Sequence, residues 1–324
     1  MVSEEILKQG LTMTLDDPLL EGYGAPQKGK VRNSYVKDGK RYIVTSDRIS
    51  AFDRVLGTIP YKGQVLNRVA AFWFEKTKDL AANHLVDTPD PAVMTVLDCT
   101  PMPVEMVVRA YITGSTSTSI WTHYQNGVRN FCGNPLPDGL KIHQKLDAPI
   151  LTPSTKAEQG DHDVSVSREE ILAMERISAE DFDAMAKMSM ELFAFGQEHC
   201  AKQGLILVDT KYEFGEDKNG NVILADEVHT PDSSRYWVAD TYEERLANGE
   251  EPQNFDKEFL RLWFTKNCDP YKDEVLPDAP ADLVEELSYR YIDIYEQLTG
   301  KEFKYNADMP IAERIQKNLD AYFS

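Results

Sequence analysis

With 324 residues, 42% of them hydrophobic, the chain is long enough to build one large domain or two lobes around a buried core. The 35 lysines and arginines are outnumbered by 54 aspartates and glutamates, which leaves a formal charge of −19 at pH 7. That field opposes nonspecific binding to nucleic acid or to an anionic membrane, so an anionic substrate has to be held by a local cluster of Lys and Arg.

Cys99, Cys132, Cys200 and Cys268 are dispersed, with no C-x-x-C pair, and no N-x-S/T sequon occurs. The start, Met1-Val-Ser-Glu-Glu, is polar and no apolar run approaches the ~20 residues of a membrane span. Together these features predict a cytoplasmic protein in a reducing compartment. The six histidines show no zinc-ligand spacing.

In chain order, Lys30 to Asp47 reads as a hairpin around Asp38-Gly39, and a helix follows from about Gln64 with Val65, Leu66, Val69, Phe72 and Trp73 on one stripe. A strand from Val104 to Ile112 runs into the hydroxyl-rich Thr113-Gly-Ser-Thr-Ser-Thr-Ser119. Ser167-x-x-Glu170 and Ser178-x-x-Asp181 announce two helices, the second carrying a core stripe of Phe182, Met185, Ser189, Leu192 and Phe193 and stopping at Gly204. A strand from Leu205 and a turn at Asn219-Gly220 come next, and the C-terminal stretch reads as acidic amphipathic helices separated by Pro-rich turns. The pattern predicts an α+β fold of two lobes: a β-rich N-terminal lobe over residues 1–103 and a mixed C-terminal lobe over residues 104–324, with a cleft between them.

The densest chemistry lies in Leu205-Ile-Leu-Val-Asp209-Thr-Lys211-Tyr-Glu213. Residues alternate across a strand, so Asp209, Lys211 and Glu213 share one face. A two-residue type I′ turn at Asn219-Gly220 places Glu213 directly opposite Asp226, with Cβ atoms about 4.5–5.5 Å apart. Two carboxylates so close need compensation, and Mg²⁺ carrying phosphates supplies it; a solvated hairpin is the plainer alternative. Lys28-Gly-Lys30-Val-Arg32 puts three cations on one hairpin face beside a glycine, either a phosphate-covering loop or an ordinary basic surface. Arg109 and the helix start after Gly114 offer a forked cation and free N–H groups to an anion, or an ion pair and an N-cap. Thr230-Pro-Asp-Ser-Ser-Arg235 follows Asp226 closely enough to deliver Arg235 beside the hairpin, or is a helix cap with an exposed arginine. The polar stretches Leu151 to Asp163 and Asp47 to Asp53 fit a nucleotide-lining loop or a flexible connection. No Ser-His-Asp or Cys-His arrangement suggests covalent catalysis.

Six of these segments together, Gly29-Lys-Val-Arg32, Ser46-Asp-Arg-Ile-Ser-Ala-Phe-Asp53, Arg109-Ala-Tyr-Ile-Thr-Gly-Ser115, Leu151-Thr-Pro-Ser-Thr-Lys156, Asp209-Thr-Lys-Tyr-Glu213 and Asp226-Glu-Val-His-Thr-Pro-Asp-Ser-Ser-Arg235, resemble the SAICAR synthetases (phosphoribosylaminoimidazole-succinocarboxamide synthases) in their longer, yeast-like form. The resemblance implies a SAICAR-synthase-like fold with a nucleotide cleft reminiscent of kinases and ATP-grasp enzymes. It also implies an ATP-dependent ligase of purine synthesis that joins L-aspartate to the carboxylate of carboxyaminoimidazole ribotide (CAIR), through an acyl phosphate, giving ADP and phosphate. The implied ATP site is Gly29, Lys30, Val31, Arg32, Glu105 and Lys156, and the implied Mg²⁺ ligands are Glu213 and Asp226. Arg109, Ser115, Lys211, Arg235, Ser50 and Asp53 fall on substrate positions; Lys211 and Asp209 are the catalytic candidates, Asp209 as a base for the aspartate amine. Partners are then small molecules, without nucleic acid or membrane, acting on a monomer or small homo-oligomer. A phosphotransferase with the same kind of site and a nucleotide sensor without turnover are the competing readings; the absence of H-R-D-x-x-x-x-N and D-F-G counts against a protein kinase.

Overall fold

A computed structural model of the protein describes residues 4–37, 39–52, 54–156, 163–255, 258–305 and 309–323. It divides into two compact units, one of Met1–Glu75, Leu85–Asp98 and Phe255–Ser324, the other of Lys76–His84 and Cys99–Asn254.

The first unit begins with α1 (Glu4–Gly10) and continues through β1 (Gln27–Lys28), β2 (Arg32–Lys37), β3 (Lys40–Thr45), β4 (Arg48–Ala51), β5 (Arg54–Thr58), α2 (Lys62–Lys76), β6 (Leu85–Asp90) and β7 (Val93–Leu97). An antiparallel sheet has the order β1-β2-β3-β7-β6, and β4 and β5 form a separate hairpin. β2 and β3 pair as the expected hairpin, with Lys37 opposite Lys40; Asp38 lies outside the described residues. Tyr35 and Tyr42 oppose one another across β2 and β3, both buried among Leu15, Leu20, Val44 and Val93. α2 is tied down at its start: Asp47 accepts the Gly63 and Leu15 N–H groups, each at 2.8 Å. A Cβ on Gly63 would stand 2.4 Å from the Thr45 carbonyl oxygen, so only glycine allows this approach. Burial pushes the Asp47 carboxyl up to about 6, against the pull of those hydrogen bonds and of Lys62.

The second unit contains β8 (Thr100–Pro101), β9 (Val104–Tyr111), α3 (Ile120–Gln125), β10 (Asn130–Phe131), β11 (Asn134–Pro135), β12 (Lys145–Leu151) and β13 (Ser154–Thr155). It continues with α4 (Arg168–Ala173), α5 (Ala179–Lys202), β14 (Leu205–Glu216), β15 (Val222–Ala225), β16 (Ser234–Val238) and α6 (Ala239–Asn248). Its main sheet has the order β12-β9-β14-β15, with β13 added to β9 and both β16 and β8 added to β14. The capping box before α4 forms in full, with Ser167 Oγ accepting the Glu170 N–H and the Glu170 carboxylate accepting the Ser167 N–H. Ser178 caps α5 by accepting the Asp181 N–H at 3.0 Å, without the reciprocal bond to its own N–H, and the predicted stripe from Phe182 to Phe193 is buried. Gly204, at φ +72°, ends that helix run and lets the chain turn into β14.

The C-terminal helices α7 (Glu258–Asn267), α8 (Ala281–Thr299) and α9 (Ile311–Tyr322) belong to the first unit, which differs from the expected division of the chain at residue 103. The reason is packing. Ile311, Ile315 and Leu319 of α9 complete the core around Tyr35 and Tyr42, and Ser288 of α8 donates to the Pro60 carbonyl at 2.8 Å. Arg314 grips the buried Asp90 with two 3.0 Å hydrogen bonds, and Asn318 adds a third at 2.7 Å. An amphipathic helix pattern shows that a face is buried, but not against which partner.

Candidate active site

β14 carries the centre of the site because it pairs with β9 and β16 around Asp209 and with β15 further on. As expected from strand alternation, Lys211 and Glu213 share a face, and the Lys211 ammonium donates to Glu213 Oε1. Its other partner is Glu105 of β9, with Nζ 3.0 Å from Oε1. Glu105 is steadied by Ser154 of β13, whose hydroxyl donates to Oε2 at 3.1 Å, while Lys156 pairs with the second oxygen of Glu213. Burial by itself pulls the Lys211 pKa down, but Glu213, Glu105 and Asp226 outweigh it and hold the lysine well above its ordinary range. Burial pushes Glu213 up, and Lys211 and Lys156 more than reverse this, so its carboxylate stays ionised. Lys211 is therefore a fixed cation rather than a base.

The register of the hairpin departs from expectation. Asp217 N–H donates to the Asn221 carbonyl at 2.9 Å and Gly220 N–H to the Asp217 carbonyl at 3.0 Å, which closes a loop of three residues with Gly220 at φ +83° instead of a two-residue turn. The Asp217 carboxylate favours the longer loop, accepting the Asn219 N–H at 2.8 Å and the Asn221 N–H at 2.9 Å. Glu213 consequently opposes Ala225, not Asp226. A slip of one residue sends the next side chain to the other face. Asp226 escapes this because it lies beyond β15 with φ +59°, and its charge still acts on Lys211.

One step back along β14, Asp209 meets two arginines. Directly opposite it on β9 and β16 stand Arg109 and Arg235. Its Oδ2 accepts from Arg235 Nη1 and lies 3.4 Å from Arg109 Nη1. Arg109 also donates from Nε to Thr152 Oγ1 at 2.9 Å and from Nη2 to the Thr118 carbonyl at 3.3 Å. Burial lowers the Arg109 pKa and Asp209 opposes that shift. A side chain on Gly114 would come within 3.2 Å of Arg235 Nη2 and 2.4 Å of Ser119 Oγ, so the glycine keeps room for the arginine. The helix expected to start near Ser115 starts five residues later, at Ile120, with Ser119 as its N-cap. The intervening hydroxyls fold onto themselves, Thr116 N–H donating to Ser119 Oγ at 3.0 Å, and this local competition delays the helix. Ser115 is exposed in that loop.

The remaining candidates belong to the first unit. Gly29-Lys30-Val31-Arg32 forms the tip of the hairpin between β1 and β2, closed by Gly29 N–H on the Arg32 carbonyl at 2.7 Å. Because the chain reverses there, Lys28 and Arg32 do not share a face as expected. Lys28 lies opposite Asn33, and both reach Asp17. The backbone of the tip is held by the buried Arg48, whose Nε donates to the Lys30 carbonyl at 2.9 Å and Nη2 to the Gly29 carbonyl at 3.2 Å. Ser50 sits half-buried on β4, opposite Val55, and Asp53 lies outside the described residues, as do residues 157–162 of the polar loop after Lys156. Thr152, Ser154 and Arg48 are contributors not singled out from the sequence, although each lies inside a segment quoted above.

No three or more His, Cys, Asp or Glu among the described residues form a metal-holding group. The oxygen-only pair Glu213 and Asp226 nevertheless suits Mg²⁺, which takes one or two carboxylates and completes its shell with phosphate oxygens and water. No helix among the described residues is long and apolar enough to cross a membrane.

Known proteins resemble this chain along most of its length. The SAICAR synthetase family matches residues 26–277. A Legionella pneumophila (strain Lens) phosphoribosylaminoimidazole-succinocarboxamide synthase is 51% identical over 92% of this chain and 95% of its own length. The chloroplastic synthase of Arabidopsis thaliana is 53% identical over 92% of this chain and 72% of its own. The Saccharomyces cerevisiae SAICAR synthase solved in complex with SAICAR superposes with a TM-score of 0.76 at 32% identity, covering 90% of this chain and all of the yeast one. The chain belongs to the SAICAR synthetase family.

Proposed function

We propose that this chain, an ATP-dependent ligase that joins L-aspartate to CAIR in purine biosynthesis, works through an acyl phosphate whose formation is served by the charged face of β14. The observation that carries this reading is the pairing of Lys211 with Glu105 and Glu213, one strand step from two arginines gathered on Asp209. A carboxylate oxygen is a poor leaving group. Attack of the CAIR carboxylate on the γ-phosphorus of ATP releases ADP and turns the carboxylate into an acyl phosphate, a mixed anhydride whose phosphate is a good leaving group. The aspartate amine then adds to the carbonyl carbon, phosphate departs and the nitrogen loses its proton. Phosphoryl transfer asks the protein for positioning and charge neutralisation. Lys211, held protonated, provides fixed positive charge.

Arg109, Arg235 and Ser115 are assigned to the ribotide, mainly its 5′-phosphate, since a dianion entering a protein of charge −19 requires forked cations close at hand. Lys156, Glu105 and the Gly29 to Arg32 hairpin are assigned to ATP. Glu213 and Asp226 would hold Mg²⁺, which neutralises phosphate charge when bound. Asp209, engaged by two guanidiniums, fits a role in aligning them better than that of a base. Among the described residues no disulfide joins any two of the four cysteines, which supports a reducing, cytoplasmic setting.

An isotope experiment tests the mechanism. With ¹⁸O in the CAIR carboxylate, the released phosphate must carry the label. Unlabelled phosphate, or a phosphorylated protein trapped when aspartate is omitted, would refute the acyl phosphate.

A further inference from the structure

His229 has no part in the chemistry described so far, yet it is fully buried at the middle of the segment from Asp226 to Arg235. Three contacts fix it. Its Nε2 is hydrogen-bonded to the Tyr212 hydroxyl, and its carbonyl accepts from the Tyr236 hydroxyl. Behind the ring is α5, where a Cβ on Gly196 would stand 2.4 Å from His229 Cε1. The backbone of His229 is left-handed, at φ +48°, the second such step after Asp226.

The positions of the two tyrosines give these contacts meaning. Tyr212 is the residue between Lys211 and Glu213, turned to the buried face of β14. Tyr236 follows Arg235 directly on β16. One residue is thus tied on one side to the strand step that presents Lys211 and Glu213, and on the other to the step that presents Arg235. Asp226 is three residues away along the same short segment. Unlike a strand pair, the stretch from 226 to 233 has no sheet ladder to set its course, since β15 ends at Ala225 and β16 begins at Ser234.

We propose that His229 is a positioning residue that, through Tyr212 and Tyr236, fixes the carboxylate of Asp226 and the guanidinium of Arg235 relative to Lys211 and Glu213. The proposal rests on the assignment of Asp226 to the metal and Arg235 to the ribotide. It implies that the buried face of β14 controls the geometry of the reacting face. Misplacement of a catalytic group by about 1 Å costs on the order of a hundredfold in rate.

Three variants of the full chain test it: Tyr212→Phe, His229→Leu and His229→Gln. The first removes one hydroxyl and keeps the ring. The last places an amide where Nε2 was and keeps a partner for Tyr212. Tyr212→Phe and His229→Leu are expected to lower kcat by about tenfold or more and to raise the Mg²⁺ concentration giving half-maximal rate by about tenfold, with the KM for aspartate within about twofold. His229→Gln should recover most of both losses. Amide hydrogen exchange in residues 226–235 of Tyr212→Phe should quicken about tenfold while that of α5 is unchanged, the size expected for one lost buried hydrogen bond. A Tyr212→Phe variant with native kcat, native Mg²⁺ demand and native exchange overturns the proposal, and so does a His229→Gln as impaired as His229→Leu. If His229→Leu fails to fold, Tyr212→Phe alone decides. A wild-type chain that makes no succinocarboxamide would remove the functional assignment instead, and the exchange measurement would still decide whether His229 holds the segment.

Discussion

Asp209 and Arg235 face one another on adjacent strands and share a hydrogen bond, with Arg109 completing a group in which one carboxylate serves two guanidiniums. Asp209→Asn keeps the shape and removes the charge that holds the arginines together. The KM for CAIR is expected to rise by about tenfold or more with a smaller change in kcat, and stability should fall by about 3 kcal/mol as the buried cations lose their counter-charge. Steady-state kinetics separate this from a role in proton removal, where kcat would drop by about 10²–10⁴ at constant KM.

Arg235→Lys retains a positive charge but cannot present two parallel N–H groups to a phosphate. The KM for CAIR should increase by about tenfold while that for ATP stays within about twofold, because ATP is assigned to other residues. Equal increases in both constants, measured by varying each substrate in turn, would contradict the assignment.

Removing one carboxylate of the pair proposed to hold Mg²⁺, in Asp226→Asn or Glu213→Gln, should lower kcat at ordinary Mg²⁺ and shift the half-maximal concentration upward by about tenfold or more. Glu213→Gln carries a second effect: Lys211 and Lys156 lose the carboxylate between them. Titration of the rate with Mg²⁺ checks both variants, and an unaltered Mg²⁺ curve in Asp226→Asn would remove it from the metal site.

Asp217 is held at about 2 by the Asn221 side chain first, then by the Asn221 and Asn219 N–H groups, below its unfolded value of 3.8. A depressed carboxylate contributes stability that is present above the unfolded pKa and is lost as pH falls through the folded one. Asp217→Ala should therefore be less stable than the parent at pH 7, with the gap closing between about pH 4 and pH 2. Urea midpoints measured across that range give the comparison.

Arg314→Met leaves Asp90 buried without its cation, and a loss of about 3–5 kcal/mol is expected, read from chemical denaturation. Arg314→Lys should recover only part of it, since a single ammonium cannot reproduce the two-pronged contact.

The capping box before α4, the serine N-cap of α5, the pairing of β2 with β3 and the common face of Lys211 and Glu213 were legible because each depends on residues near in sequence. The register after Asn219-Gly220 was not, since Asp217 stabilises a longer loop that competes with the two-residue turn through side-chain hydrogen bonds. Lys28 and Arg32 were misjudged for a related reason: alternation holds along a strand and fails where the chain reverses. The grouping of Asp209 with Arg109 and Arg235 depends on which strands flank β14, and the anchoring of Arg109 by Thr152 joins positions far apart in the chain. A sequence shows that such residues are available. Sheet order decides who meets whom.

The union of the first residues of the chain with α9 has a consequence for synthesis. Tyr35 and Tyr42 emerge early from a ribosome, but Ile311, Ile315 and Leu319, which complete their core, emerge only after the whole intervening unit. That intervening unit is made of residues 76–84 and 99–254, all of which are synthesised before α9. During translation the half bearing Lys211 and Arg235 is thus free to fold first, while the half bearing the Gly29 hairpin waits with an apolar face uncovered. Stalling synthesis at residue 300 should leave a protease-sensitive N-terminal segment beside a resistant middle one.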